Sequence, residues 1–253
     1  MVLILTQELL DASNGDGPGS VLHQHGYDIT AGRDHFAIVV ERHSSQTARS
    51  VCGQIVTQLQ IIAGPEPIVA VDVLYQNYSM VLCSMEGSVS EDGVRRWIQT
   101  LLMQGVTRGR HLGISQRASS LMDLGQALDQ SIEAWQMGEE LSRPNKAYYH
   151  DELPLYRLLS SLKAKDRLDE FYEETLGPLE RYDRVYDTEL VRTLEAFFDH
   201  NANSIQASKA LSVHRNTMSY RLQRIAEITH LDLSSPEARL TLQLALKIHR
   251  LAI

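Results

Sequence analysis

Residues 203–228 read NSIQASKALSVHRNTMSYRLQRIAEI, and the spacing within this stretch decides how the C-terminal part of the chain folds. Asn203 is a favourable N-cap, so a short helix is predicted to begin after it. The pair Ser212-Val213 interrupts this helix. A second helix follows, and its buried stripe is predicted to consist of Met218, Leu222 and Ile225. Because Ala207 is small, the second helix can pack closely on the first, with a tight turn between them.

The face opposite this stripe carries mainly uncharged hydrogen-bonding side chains, whereas a merely solvated face usually holds more Glu and Lys. Arg and Asn can make bidentate contacts to base edges, and Ser, Thr and Tyr can donate to phosphates. In a helix-turn-helix the N-terminal residues of the second helix reach the bases. The residues expected closest to DNA are His214, Arg215, Asn216, Thr217, Ser219 and Tyr220. Backbone phosphates are expected to be bound by Arg221, Arg224 and, on the first helix, Lys209.

The distribution of charge favours this interpretation over a plain helical hairpin with a solvated polar face, which is the structural alternative. The chain of 253 residues has a net charge of -8. Acids outnumber bases between residues 151 and 199, but between 201 and 230 Glu227 is the single acid beside several cations. A local excess of basic residues in an otherwise acidic protein is expected of a small DNA-binding surface.

Composition sets the class of the protein. Hydrophobic residues make up 43% and charged residues 22%, which is typical of a globular chain, and 253 residues suffice for two domains. No apolar run is long enough to span a membrane, and no signal peptide is expected because no basic segment precedes the first apolar residues.

Cys52 and Cys83 are predicted to be buried thiols in a reducing cytoplasm. His23 and His25 lack a third ligand nearby, so neither a metal site nor a cofactor is expected.

The first part of the chain alternates between strand and helix patterns. A short helix is predicted over 2–11, a loop over 13–20 and a second short helix ending near Tyr27. Strands are predicted over 35–42, 68–75, 79–85, 111–115 and 147–150. Helices are predicted over 45–62, 91–104 and 121–142. The order predicts an α/β sandwich with a mainly antiparallel sheet, and the polar pair Gln76-Asn77 predicts a tight hairpin.

After Pro154 the patterns are helical throughout. The predicted helices cover 155–162, 165–176, 187–200, 204–211, 214–229 and 236–251. The boundary between the two parts is expected between residues 153 and 176. The fold class is therefore α+β, an α/β sandwich followed by an all-α domain.

Three blocks of the C-terminal part resemble the final module of the PucR/CdaR family of bacterial regulators. These blocks are LVRTLEAFFDHNAN (190–203), ASKALSVHRNTMSYRLQRI (207–225) and LDLSSPEARLTLQLAL (231–246). They follow one another in the order typical of that family. His230 departs from the pattern, because many relatives carry Gly before the LDL segment, and this makes the C-cap of the second helix less favourable.

The upstream part is similar to the degenerate GGDEF-like domain of the same family. The resemblance divides the chain into an N-terminal helical segment (1–34), a GGDEF-like domain (35–150), a helical linker (151–185) and a helix-turn-helix domain (186–253). It implies a sequence-specific transcription regulator, an activator by analogy. The expected partners are double-stranded DNA, a second copy of the chain and an unidentified small-molecule effector, with no membrane. The alternative is a ligand- or protein-binding signalling module whose DNA binding is vestigial.

The GGDEF resemblance also raises the hypothesis of a nucleotide cyclase. That chemistry needs carboxylates for divalent metal and glycines near phosphates, but residues 75–79 contain no Gly, Asp or Glu. Glu41 is a lone carboxylate at a strand end, and no other catalytic motif is present, so no catalytic residues are expected. The aromatic residues Tyr75, Tyr78, Trp97 and Trp135 either line a ligand pocket or pack in the core.

Overall fold

The computed structural model describes residues 3–5, 22–24, 26–27, 32–42, 46–64, 68–86, 89–120, 123–141, 144–163 and 167–252. The chain divides into two compact units, Met1–Pro154 and Leu155–Ile253. The first unit combines a sheet with helices, and the second is helical. The predicted α+β class is therefore confirmed.

The sheet of the first unit has six strands in the order β1-β3-β4-β2-β5-β6. These strands are β1 (Leu3–Leu5), β2 (Arg33–Arg42), β3 (Ile68–Tyr75), β4 (Tyr78–Glu86), β5 (Leu112–Ile114) and β6 (Ala147–Tyr149). The central pairings β3–β4, β4–β2 and β2–β5 are antiparallel. The outer pairings β1–β3 and β5–β6 are parallel. The sheet is thus mainly antiparallel, as predicted.

Helices cover both faces of this sheet. They are α1 (Gln46–Ala63), α2 (Glu91–Met103) and α3 (Leu124–Glu140). On β2, Phe36 and Ile38 pack with α1 and α2, whereas Ala37 and Val39 pack with α3. Because both faces are covered, the middle of β2 is a continuous buried apolar run rather than an alternating one.

The hairpin between β3 and β4 has the tight turn that the sequence predicts. Gln76 and Asn77 have φ angles of 45° and 65°. Two consecutive left-handed residues are what a type I′ turn requires, and Asn tolerates this conformation better than most residues. The turn places Tyr75 directly opposite Tyr78.

Helix α3 packs unusually close to β5, and Gly113 makes this possible. A Cβ atom at this position would lie 2.3 Å from the carbonyl oxygen of Ser131 and 2.4 Å from the amide nitrogen of Trp135. Both atoms belong to the backbone of α3, so they cannot move aside as a flexible side chain could. The absence of a side chain at Gly113 therefore sets the distance between helix and sheet.

The predicted helix over 2–11 is wrong at residues 3–5, which form β1 and pair in parallel with Val73–Tyr75 of β3. The apolar run is short enough to join the open edge of the sheet, where backbone pairing outweighs weak helix propensity. The rest of that segment, and the predicted loop over 13–20, lie outside the described residues. Residues 22–24 form a helical turn, and the hydroxyl of Tyr27 donates to the carbonyl of Cys83 at 2.9 Å.

The second unit is built from α4 (Pro154–Lys163), α5 (Arg167–Thr175), α6 (Gly177–Tyr186), α7 (Leu190–Asp199), α8 (Ser204–Ala210), α9 (Arg215–Thr229) and α10 (Pro236–Ala252). The sequence pattern predicts no helix between residues 176 and 187, so α6 corrects it. Gly177-Pro178 resembles a helix break, but proline suits the first turn of a helix, where its missing N–H costs nothing. Helix α7 begins at Leu190 rather than at residue 187.

The core of this unit includes residues from the segment predicted as a linker. Leu176 and Leu179 are fully buried and pack with Leu194 of α7, Ile225 of α9 and Leu242 of α10. The helix α6 is therefore a structural support of the helix-turn-helix. Among the helices that the structure describes, none has the length and apolar character needed to cross a membrane.

Candidate nucleic-acid interface

The helix pair α8–α9 begins with the predicted cap. The Asn203 Oδ1 atom accepts hydrogen bonds from the amides of Ile205 and Gln206, both at 3.1 Å. At the other end of α8, Ser212 has a φ angle of 55°, and the Val213 amide donates to the carbonyl of Ser208 at 2.9 Å. This left-handed residue closes the tight turn that leads into α9.

Helix α8 lies close to α9 because their contact is made by Ala207 and Met218, both fully buried. Phe197 of α7 completes this small cluster. The predicted stripe of α9 is therefore largely confirmed, with Met218 and Ile225 buried and Leu222 half-buried. Helices α7 and α8 therefore hold the N-terminal turn of α9 in a fixed orientation.

His214 caps α9. Its Nδ1 atom accepts a hydrogen bond from the Asn216 amide at 3.2 Å, so Nδ1 carries no proton in this arrangement. The imidazole ring is nevertheless exposed. His214 therefore positions the first turn of the helix as well as lying at its surface, a role that the sequence pattern did not reveal.

The remaining residues predicted to contact bases lie exposed at the N-terminal half of α9. They are Arg215, Asn216, Thr217, Ser219 and Tyr220. Tyr220 is 65% exposed, which is unusual for a residue with a large aromatic side chain. Within the part of the chain that the structure describes, the side chains of Arg215 and Asn216 form no hydrogen bond or ion pair. Their donors and acceptors are therefore available to an external partner.

Two of the residues predicted to bind phosphate are held inside the second unit. The Arg221 Nη1 atom donates to the Thr193 hydroxyl at 3.1 Å and lies 3.5 Å from a carboxylate oxygen of Glu189. Glu189 and Thr193 belong to the start of α7. A phosphate would have to compete with these partners for Arg221.

Arg224 is also held by residues of the second unit, and one of its partners lies on α6. Its Nε atom donates to the Tyr182 hydroxyl at 3.2 Å, and its guanidinium lies 4.9 Å from the centre of the Tyr182 ring. Its Nη1 atom donates to Glu227 at 2.8 Å, and this hydrogen bond lowers the pKa of that carboxyl. Lys209, by contrast, is exposed on α8. Of the three residues predicted to bind phosphate, Lys209 is thus the one whose charge is available to a backbone phosphate.

Asp183 is a supporting residue that sequence reasoning missed. Its two carboxylate oxygens accept hydrogen bonds from the amides of Leu190 and Val191 at 2.8 and 2.9 Å. It also accepts from the Thr188 hydroxyl. Asp183 therefore caps α7, on which α9 packs. The signal is the D-x-x-x-x-T-E-L spacing, but it becomes recognisable only once α6 is known to end between the Asp and the Thr.

His230 ends α9 in the left-handed conformation, with a φ angle of 56°. This is the position at which the sequence departs from the family pattern of Gly. A left-handed conformation costs a residue with a Cβ more than it costs Gly. The departure lies at the far end of α9 from the exposed turn at Arg215.

In the first unit, the aromatic residues and cysteines are core residues. Tyr75, Tyr78 and the α3 residue Trp135 pack together on one face of the sheet, and Trp97 of α2 packs on the other face. The buried-thiol prediction is confirmed, and burial raises the pKa of Cys52 to about 12. Glu41 pairs with Arg110. His25 lies outside the described residues. Among the residues that the structure describes, no group of three or more potential metal ligands is present.

Comparison with known proteins identifies the helical unit. The PucR C-terminal helix-turn-helix domain matches residues 190–248. The proline-responsive transcriptional activator PutR of Bacillus subtilis is 28% identical over 166 residues, which are 65% of this chain and 40% of PutR. The carbohydrate diacid regulator of Escherichia coli is 39% identical over 113 residues, 44% of this chain and 28% of that protein. The chain spans less than half the length of these relatives.

A crystal structure of a regulator of polyketide synthase expression from Bifidobacterium adolescentis aligns with 97% of this chain and 96% of its own, at 23% identity and a TM-score of 0.40. The GGDEF-like assignment of residues 35–150 stays a prediction, because the family match covers the C-terminal part. Residues 190–248 match the PucR C-terminal helix-turn-helix domain, which confirms the resemblance of the chain to the PucR/CdaR-type transcription regulators.

Proposed function

We propose that the chain is a sequence-specific DNA-binding transcription regulator that reads the major groove with α9. The observation that carries this proposal is the exposed N-terminal turn of α9, in which Arg215 and Asn216 have no partner within the described part of the chain. Both side chains can make bidentate contacts to bases, Arg to guanine and Asn to adenine. The turn belongs to a domain of the PucR helix-turn-helix family.

Each polar residue of the site then has a distinct role. Arg215 and Asn216 contact bases, with Thr217, Ser219 and Tyr220 beside them, and Lys209 binds a phosphate. Arg221 and Arg224 hold α9 against α7 and α6, and this replaces the phosphate role that the sequence alone suggested for them. Because α9 is already held in place, less conformational entropy is lost when its exposed residues bind DNA.

The test is affinity selection of genomic DNA fragments with the wild-type protein and two variants. The reading variant is Arg215→Ala with Asn216→Ala, and the matched control is Arg181→Ala, an exposed arginine of α6 that pairs with Glu173. Wild type and control are expected to enrich one shared motif that the reading variant fails to enrich. Equal, weak and salt-sensitive recovery by all three proteins would contradict sequence-specific reading through α9.

We further propose that the chain acts as a homodimer and as an activator. One helix-turn-helix reads only a few base pairs, so high affinity normally requires two copies on repeated half-sites. The names of two relatives from Bacillus subtilis, PutR and AdeR, describe activators. Sedimentation of the DNA complex tests the first proposal: two chains on a site with two half-sites support it, and one chain contradicts it. A reporter gene downstream of the selected motif tests the second by the sign of the response.

We also propose that the chain is not an enzyme and acts in the cytoplasm in response to a small-molecule effector. The relatives are named as regulators, and the β3–β4 turn presents Gln76 and Asn77 where a cyclase would need metal-binding carboxylates and glycine. GTP turnover with magnesium or manganese, measured on the purified chain, would contradict this. If neither wild type nor variants recover DNA, the signalling-module alternative gains support.

A further inference from the structure

The first unit contains a cavity that the DNA-binding function does not use. Its volume is about 290 Å³, close to the lower end of the range for small-molecule sites. Its walls come from α2, β2, β5, β6 and the segments that follow β5 and β6. Phe36, Val94 and Ile114 supply the apolar part of the lining.

Arg117 supplies a half-buried cation to the same lining. Its Nη1 atom lies 3.3 Å from a carboxylate oxygen of Asp34. Its Nη2 atom is buried and has no hydrogen-bond partner in the part of the chain that the structure describes. A buried guanidinium donor without a partner is costly, so it needs an explanation. The planar guanidinium fork matches a carboxylate, which can accept from it strongly.

The other charged groups limit how much negative charge a ligand can carry. Arg95 is already paired with Asp151 and Glu152, and it lies 4.2 Å from the centre of the Tyr149 ring. Glu91, at the start of α2, lines the cavity and is exposed. A second carboxylate on the ligand would therefore face Glu91 without a cation to compensate it.

We propose that this cavity binds a small organic monocarboxylate. The carboxylate accepts a hydrogen bond from the Arg117 guanidinium, and the apolar part of the ligand contacts Phe36, Val94 and Ile114. That this ligand is the effector rests on the proposed regulatory function. The binding itself belongs to the first unit and is measured without DNA, so a failure of one proposal is distinguishable from a failure of the other.

The experiment is isothermal titration calorimetry of the full chain with a series of aliphatic and aromatic monocarboxylates, with and without an α-amino group. The neutral amides of the same acids are the ligand controls. Arg117→Gln removes the charge but keeps an amide donor, and Arg96→Gln is the matched control because this exposed arginine does not line the cavity. Wild type and Arg96→Gln are expected to bind at least one monocarboxylate. Arg117→Gln is expected to bind the same ligand with an affinity lower by about tenfold or more.

A second variant covers the case in which loss of the Asp34 pair destabilises Arg117→Gln. Val94→Met extends into the cavity from α2 without changing any charge, and methionine is a good helix former. It is expected to lose the same ligand while its circular dichroism spectrum stays that of wild type. The proposal is overturned if no monocarboxylate binds at millimolar concentration, if the amides bind equally well, or if both variants bind as wild type does.

The exposed carboxylate of Glu91 allows a test of how much negative charge the ligand can carry. Glu91→Gln is expected to leave monocarboxylate binding within about threefold of wild type and to strengthen binding of the corresponding dicarboxylates, because the repulsion at the mouth is removed. If wild type already binds dicarboxylates more tightly than monocarboxylates, the assignment of a singly charged ligand is wrong.

Discussion

His214 connects the stability of α9 to the surface that we propose to read DNA. Its ring is exposed, and yet it accepts a backbone hydrogen bond from Asn216, its neighbour but one. A cap of this kind fixes the first turn, which holds Arg215 and Asn216. A change at His214 therefore acts on DNA binding through helix geometry even if its ring touches no base.

The prediction is that His214→Ala lowers the free energy of unfolding by about 0.5–2 kcal/mol, whereas His214→Asn stays close to wild type. The physical reason is that Asn supplies a side-chain oxygen to the same amide, and Ala supplies none. Urea denaturation followed by circular dichroism measures both. If the two variants were equally destabilised, the hydrogen bond from the Asn216 amide would not be what stabilises the helix start.

A second prediction at this scale concerns the thiols. Burial raises the pKa of Cys52 to about 12, and burial raises the pKa of Cys83 further. Since the thiolate is the reactive form, both thiols are expected to react slowly with a disulfide reagent at neutral pH. In the unfolded chain the thiol pKa returns to about 8.5, so the folded state loses stability as the pH rises above this value.

The measurement is the rate of reaction with 5,5′-dithiobis(2-nitrobenzoic acid) at pH 7, with the urea-unfolded protein as the control. Two thiols are expected to react at once after unfolding. Immediate reaction of either thiol in the folded protein would show that its environment is accessible to solvent.

At the scale of the element, the packing of α3 on β5 depends on a single position. Gly113→Ala is expected to lower the free energy of unfolding by about 1–3 kcal/mol or more, because the new Cβ meets backbone atoms of α3. Gly53→Ala is the matched control, since its Cβ would enter open space on the exposed side of α1. There the change is expected to stabilise the helix by roughly 0.5–1 kcal/mol. Thermal unfolding of both variants decides this, and equal melting temperatures would refute the close approach.

Elements with a strong hydrophobic period could be predicted from the sequence, and elements that depend on tertiary context could not. Helix α9 was predictable because Met218 and Ile225 recur at helical spacing, and the β3–β4 hairpin because of Gln76-Asn77. Helix α6 was missed because its Gly177-Pro178 start resembles a break. Strand β1 was missed because three residues form a strand only when a partner edge exists.

The same distinction applies to the candidate site. Exposure of the polar side of α9 could be predicted from the period alone, since it follows from which side is apolar. The partners of Arg221 lie on α7 and those of Arg224 partly on α6, far away in sequence, so no local pattern could assign them. Whether an exposed arginine is available to a ligand is a property of its tertiary neighbours.

At the scale of the whole molecule, a net charge of -8 means that most of the surface repels DNA. Binding must then depend on a few cations near the reading turn, of which Lys209 and Arg215 are exposed. Each phosphate contact contributes about 0.9 to the slope of log affinity against log salt concentration. The slope therefore separates a phosphate contact from a base contact.

The prediction is that Lys209→Ala reduces the magnitude of this slope by about 1 and weakens binding to all sequences alike. Asn216→Ala leaves the slope unchanged but lowers discrimination between the selected motif and a mutated motif by about 1–3 kcal/mol. Fluorescence anisotropy over a series of salt concentrations measures both quantities, with Arg181→Ala as the control for removal of a cation elsewhere in the unit. If Arg181→Ala changed the slope as much as Lys209→Ala, the net charge rather than the proposed contact would govern binding. If Asn216→Ala discriminated as wild type does, the base contacts would have to come from other residues of α9.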